Sequence, residues 1–332
     1  MADPGDPLMA RELDEDDVRV RPGRGSRPRS KVRPSYRSAR PAVVTGVDRG
    51  RFACELDDGT IVTAVKSREL GRGGLVVGDR VRLTGDTSGS TGSLARVVGL
   101  SERETLLLRT ADDVTGTERP LVANADQLGI VVAAADPEPR HGFVDRCLIA
   151  AFDAGLRPLI IVTKTDLADP GDFLAAYSAL AVASVDGQRD SDLADLKENL
   201  VGRSSVLIGH SGVGKSTLVN ALVPDADRRT GIVNDVTGRG RHTSSSAVLL
   251  DLPGGGVIID TPGVRSFGLN HVTGENVVRA FSDLAAGAEN CPRSCSHDEP
   301  DCALDAWVAG GGAPVARLES LRRIMRSRSA VD

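Results

Sequence analysis

At 332 residues the chain exceeds what one hydrophobic core usually organises, and its 40% hydrophobic content, poor in aromatics but rich in Val, Leu, Ala and Ile, can fill two or three domains. The longest apolar run is Leu128 to Ala135 and the first eighteen residues are acidic, which excludes a membrane span and a secretory signal; a cytoplasmic location with no membrane partner is expected. Five cysteines, three of them clustered beside a histidine, fit metal binding in a reducing compartment better than a disulfide framework, and Cys54 and Cys147 read as small core residues.

The net charge of -5 conceals an asymmetry. Arg19, Arg21, Arg24, Arg27, Arg29, Lys31, Arg33, Arg37 and Arg40 fall in a stretch with no acidic residue, mixed with Pro, Gly and Ser. Such a tail, residues 1 to 40 including its acidic start, cannot build a core and is expected to be disordered when free. Its cations suit a polyanion, with RNA the leading candidate and a solubilising tail the alternative. Residues 41 to 112 read as a barrel of five short strands, Ala42 to Val47, Arg51 to Leu56, Thr60 to Val65, Arg80 to Thr84 and Leu94 to Leu100. Asp58-Gly59 marks a hairpin turn. An OB-type barrel, a fold that often binds RNA through its loops, is expected, and an SH3-like barrel would give a similar pattern. The loop Gly85 to Ser93 is free to reach a partner.

From about residue 121 strands alternate with helices: strands Leu128 to Ala134, Pro158 to Val162, Ala181 to Ala183 and Ser205 to Ile208, and helices Val144 to Ala154, Phe173 to Ala179 and Asp192 to Leu200. The alternation predicts an α/β domain with a doubly wound parallel sheet and helices on both faces. In the last helix Arg317, Arg322, Arg323, Arg326 and Arg328 accompany Leu318, Leu321, Ile324 and Met325, so one face can pack while the other meets phosphate.

Gly209, His210, Ser211, Gly212, Val213, Gly214, Lys215, Ser216 and Thr217 satisfy the phosphate-loop pattern, between an apolar strand and an amphipathic helix. The glycines let backbone N–H groups turn around phosphates at the positive end of that helix; Lys215 bridges β- and γ-phosphates and the Ser216 hydroxyl ligates Mg2+. Asp260, at the end of Val257-Ile258-Ile259, begins Asp-Thr-Pro-Gly and is the expected second Mg2+ carboxylate, with the Gly263 N–H meeting the γ-phosphate. Upstream of the phosphate loop, instead of downstream as in ordinary small GTPases, stands Thr163-Lys164-Thr165-Asp166. Its carboxylate accepts two hydrogen bonds from guanine that adenine cannot supply, which selects GTP and GDP. Thr163 stands where Asn is usual, and its hydroxyl can still tie the two loops together. Ser184, after the next short strand, is the candidate for the remaining base-contact loop. Between the phosphate loop and Asp260 the basic, Gly-rich stretch Thr237 to Thr243 reads as a mobile switch, with Thr243 sensing Mg2+ and γ-phosphate. Val264 replaces the Gln that positions the attacking water in Ras-like enzymes, and His242 is its local substitute or else a structural polar residue. Arg239 and Arg241 fit either transition-state charge or RNA. Cys291, Cys295, His297 and Cys302 offer three thiolates and an imidazole, enough to close a tetrahedral structural zinc site with no position left for catalysis.

Together with Ala123-Asn124, Asp126-Gln127 and Asp145-Arg146, these motifs resemble the circularly permuted GTPase family called ribosome small-subunit-dependent GTPase A. The resemblance covers about residues 30 to 328. It implies an OB barrel at 41 to 112, a permuted P-loop GTPase domain at 113 to 270 and a zinc-binding helical domain at 271 to 332. It further implies a monomer whose GTP hydrolysis is stimulated by the small ribosomal subunit in late subunit assembly, with rRNA contacts from the outer domains and a switch histidine aligned with His242. This chain departs from the family in Thr163, in two zinc-ligand gaps each one residue shorter, and in its longer basic tail. A nucleotide-gated rRNA-binding scaffold with incidental turnover is the competing reading; an ATPase or metabolic kinase would require ATP to compete with GTP.

Overall fold

The computed structural model describes residues 38–329 except 49, 72, 111–117, 181, 189–192, 225, 227–246, 262–271 and 280. Of the tail expected over residues 1–40, residues 1–37 lie outside them, and Arg40 belongs instead to the first strand. Five strands open the described chain: β1 (Arg40–Asp48), β2 (Arg51–Leu56), β3 (Ile61–Lys66), β4 (Arg80–Gly85) and β5 (Ala95–Leu100). β1 pairs antiparallel with both β2 and β4, β2 with β3 and β4 with β5, and the parallel β3–β5 pair closes the ring. That closure resolves the choice of barrel in favour of the OB type. Period-2 alternation turns Val44, Phe52, Cys54, Val62, Leu83 and Val97 inward. Cys54 is a core residue, and burial pushes its thiol up to about 12.

A ribbon of β6 (Leu106–Thr110) and β7 (Glu118–Ala123) follows, buried at Leu107 and Val122. Local sequence pattern does not mark these strands, and Pro120 interrupts the second of them. Asn124 holds the ribbon to the barrel: its side chain donates to the Gly78 carbonyl at 2.8 Å and accepts from the Glu104 N–H at 2.9 Å.

The second sheet runs β10 (Ala183–Asp186), β9 (Arg157–Thr163), β8 (Gln127–Ala133), β11 (Ser204–Ile208), β13 (Val257–Asp260), β12 (Val248–Asp251), all neighbours parallel except β12 with β13. β8 is buried at every position, as a central parallel strand must be. Its side chains alternate between two cores. Ile130 and Val132 meet α1 (His141–Asp153) and α2 (Gly171–Ser178), while Val131 and Ala133 meet α3 (Ala194–Leu200) and α4 (Lys215–Leu222). The chain leaves β8 for one face and the adjacent β11 for the other, so a crevice opens at their carboxyl ends. At the far edge Gly46 of β1 pairs with Val248 of β12, joining barrel and parallel sheet into one eleven-stranded sheet.

Among the described residues four helices follow: α5 (Gly274–Arg279), α6 (Ser282–Ala288), α7 (Ala303–Ala309) and α8 (Val315–Ser329). Phe281, Leu284, Leu304, Leu318, Leu321 and Ile324 share one core with α1. Trp307 donates to the Asp283 carbonyl at 3.0 Å. Its ring lies so close to Gly287 and Gly312 that a Cβ at either would come within 2.4 Å of it. The apolar face of α8 packs as expected, and four of its arginines carry carboxylate partners. Arg317 pairs with Asp283, Arg322 with Asp298 and Asp305, Arg323 with Asp145 and Arg326 with Asp298. The partners come from distant parts of the chain, which helical spacing alone cannot reveal. Among the described residues no helix is long and apolar enough to cross a membrane.

Candidate functional site

The crevice gathers the carboxyl ends of β9, β8, β11 and β13. After β11 the loop Gly209 to Gly214 turns into α4, whose first residue is Lys215. Gly212 and Gly214 both have φ +86°, the left-handed region in which successive N–H groups can face one anion. Gly209 is fixed by space: a Cβ there would sit 2.7 Å from the Val131 carbonyl oxygen. Ser216 and Thr217 are exposed at the helix start, where the backbone presents N–H groups without intrahelical partners. Lys215 is nearly buried, and its ammonium pairs with the Asp260 carboxylate at the end of β13. Thr261 fixes that strand end by donating to the Leu207 carbonyl at 2.8 Å. An amine, a carboxylate and a turn of N–H groups therefore converge, a combination suited to a polyphosphate with its metal ion.

Thr163 ends β9 and is buried. Its hydroxyl lies 2.5 Å from the Val213 carbonyl and 3.2 Å from that of Val132. Having one proton, it donates to one at a time, and the shorter contact ties the base motif to the phosphate loop. Lys164, at φ +55°, reaches back to the Asp136 carbonyl. Thr165 donates to the Asp186 carboxylate at 3.2 Å, and Asp166 accepts from the Gln188 amide at 2.7 Å. The neighbour of this motif is thus the turn Asp186-Gly187-Gln188. Ser184 sits inside β10, opposite Ile160, two residues short of that turn. The expected strand at Ala181 to Ala183 is displaced to Ala183–Asp186, where it pairs with Leu159 to Val162, so the base-side loop begins later than the sequence suggested. Asp186 and Gln188 were missed; the signal for them was the polar, glycine-centred turn itself. His242, Thr243 and Gly263 lie outside the described residues.

Cys291, Cys295, His297 and Cys302 converge between α6 and α7, their ligand atoms all within 4.8 Å of one another. Cys291 Sγ is 3.5 Å from His297 Nδ1 and 3.8 Å from Cys302 Sγ, and Cys302 Sγ is 3.8 Å from His297 Nδ1. Tetrahedral zinc bonds require edges of about 3.8 Å between thiolates and about 3.6 Å from thiolate to imidazole. Ser294 and His297 both take left-handed backbone conformations within this loop. The His297 N–H donates to Cys295 Sγ at 3.3 Å, and Arg322 grips the His297 carbonyl at 2.7 Å. Burial raises the Cys295 thiol to about 12, raises that of Cys302 and lowers the imidazole, so with no cation bound the thiols stay protonated and the ring neutral. It can hold a metal ion.

The model of the RsgA GTPase family matches residues 100–270. A protein of Ectopseudomonas mendocina named small ribosomal subunit biogenesis GTPase RsgA is 40% identical over 65% of this chain and 65% of its own length, just under two thirds. The protein of that name from Pseudomonas fluorescens strain SBW25 is 38% identical over 76% of this chain and 75% of its own. Among solved structures, YjeQ from Thermotoga maritima matches at 27% identity with a TM-score of 0.65, covering 89% of this chain and all of that one. YloQ, described as a circularly permuted GTPase, shares the fold at 21% identity and a TM-score of 0.62 over 90% of this chain and 98% of its own.

Proposed function

Because the chain belongs to the RsgA GTPase family, we propose that it binds and hydrolyses GTP under stimulation by the small ribosomal subunit, during late maturation of that subunit. The observation that carries the reading is the Thr163–Val213 bond, which locks a guanine-type motif to a phosphate loop despite their inverted order in the chain. In this reading Asp166 selects guanine, the loop Gly209 to Thr217 cradles the phosphates, and Lys215 neutralises the β- and γ-phosphates. Ser216, Asp260 and Thr243 hold Mg2+, the Gly263 N–H meets the γ-phosphate, and His242 orients the attacking water. The OB barrel over 41 to 112 and the basic tail contact rRNA, the GTPase domain spans 113 to 270, and the region 271 to 332 is organised by zinc on Cys291, Cys295, His297 and Cys302. The chain acts as a cytoplasmic monomer.

The test is GTP turnover with and without purified small subunits, for wild type and His242→Ala. Stimulation that disappears in the variant is the expected outcome. Slow turnover that is unchanged by subunits or by the substitution, with subunit binding intact, would favour a nucleotide-gated scaffold instead.

Gln188 takes the place of Ser184 as the proposed second wall of the base site. Its amide donates to one Asp166 oxygen and orients the carboxylate for the guanine edge. Gln188→Ala is expected to weaken GDP binding by about 1 kcal/mol, roughly five-fold, since one hydrogen bond to a charged but exposed group is lost. Titration with a fluorescent GDP analogue reads this directly; unchanged affinity would mean that the contact is idle.

A further inference from the structure

Asp145 belongs to neither site, yet it is a carboxylate only 1% exposed on α1. Burial raises its pKa and the Arg323 guanidinium opposes that rise. Arg323 comes from α8, with Nε 3.1 and 3.3 Å from the two Asp145 oxygens and Nη1 donating to the Ala176 carbonyl of α2 at 3.2 Å. Its guanidinium carbon stands 4.8 Å from the centre of the Tyr177 ring. One side chain of the C-terminal region is thereby wedged between the two helices that follow β8 and β9. A buried ion pair is a poor source of net stability, because desolvation offsets much of the attraction, but it admits one relative placement of the elements that carry it.

The other end of this contact reaches the phosphate loop. Phe143 lies two residues before Asp145 on α1, and its ring centre is 4.1 Å from that of His210. Phe143 is itself 8% exposed and packed in the core shared by α1 and α8. A shift of the first turns of α1 therefore cannot leave His210 undisturbed, since close-packed side chains move together. One residue earlier on α8, Arg322 holds the His297 carbonyl and the Asp305 carboxylate. α8 is a single strut that grips the metal-binding loop with one arginine and α1 with the next.

We propose that Asp145 and Arg323 are positioning residues that let the C-terminal region set nucleotide affinity at the phosphate loop, through α1 and the Phe143–His210 stack. The inference rests on the nucleotide reading above. Coupling of this kind is reciprocal: a displacement of α8 from α1 loosens the nucleotide, and bound nucleotide resists that displacement by the same factor.

The experiment uses the full chain with zinc and Mg2+ and a fluorescent GDP analogue as probe. Arg323→Lys keeps the charge and loses the fork, and Asp145→Asn keeps the volume and loses the charge. Each is expected to raise the GDP dissociation constant about five-fold or more, within the usual range of couplings between sites. In a Phe143→Leu background the Arg323→Lys effect is expected to vanish, because the path to His210 is already cut. Wild-type affinity in both single variants, with only a lower melting temperature, would reduce the pair to a structural contact and overturn the proposal. Full additivity with Phe143→Leu would overturn it as well. Should the variants not fold, hydrogen exchange on the wild type decides: GDP is expected to slow exchange of the α8 amides, and no change counts against the coupling. A wild-type chain that fails to bind the GDP analogue sinks the nucleotide reading and this inference with it, an outcome distinct from intact binding that ignores Arg323.

Discussion

Lys215→Ala is expected to lower GTP turnover by roughly 100- to 1000-fold, the usual effect of removing one preorganised group that meets developing charge. The lysine is almost enclosed where α4 begins, and its ammonium is held by Asp260 from the neighbouring strand, so it has little conformational freedom to lose when phosphate arrives. Its removal should leave the fold intact. The Asp260 side chain is 30% exposed and can be hydrated once its partner is gone, while Thr261 still fastens the end of β13 to β11. Turnover in the presence of small subunits, measured beside a thermal melt, separates these effects. A variant that retains turnover within a few-fold of wild type would remove Lys215 from the chemistry, and with it the phosphate-loop reading.

Metal removal is expected to be the most destructive treatment of the C-terminal region. Structural zinc contributes apparent binding free energies of about 10 to 16 kcal/mol in small domains, comparable with the whole stability of a typical domain at about 5 to 15 kcal/mol. The segment between α6 and α7 is loop-rich, and its four donors approach one another at distances that suit a shared cation. The chain carries one tryptophan, Trp307, on the helix that begins next to Cys302, clasped between Gly287 and Gly312. Stripping the metal with a strong chelator should therefore shift Trp307 emission to the red and reduce helical circular dichroism, and added Zn2+ should restore both. Cys295→Ser should reproduce the change without a chelator. Tryptophan emission unchanged by chelation would show that the region folds without the ion.

Much of this molecule follows from local patterns. The barrel strands were legible because Phe52, Cys54, Val62 and their neighbours alternate with period 2, and β8 because it is apolar without interruption. The Gly-rich turn before α4 and the Cys/His cluster were legible because motifs of these kinds place particular side chains at short, fixed spacing. The ribbon β6–β7 and strand β12 were not, since each is short and takes its stability from pairing with a neighbour. The base-side turn was missed because β10 is positioned by its register with β9, which shifts the loop from Ser184 to Asp186 and Gln188.

The amino-acid order by itself determined the motifs on which the proposed roles for phosphate, guanine and metal rest. Each depends on side-chain type and a few bonds of spacing. Only the tertiary structure decided what the charges of α8 do. Read as a helix, they form a basic face; in the fold they meet Asp145, Asp283, Asp298 and Asp305, brought from 17 to 178 residues away. A cation is claimed by whichever carboxylate the packing of the cores delivers, and contacts across such separations leave no mark in local periodicity. The same packing carries Phe143 to His210 and so puts the C-terminal helix within two side chains of the phosphate loop.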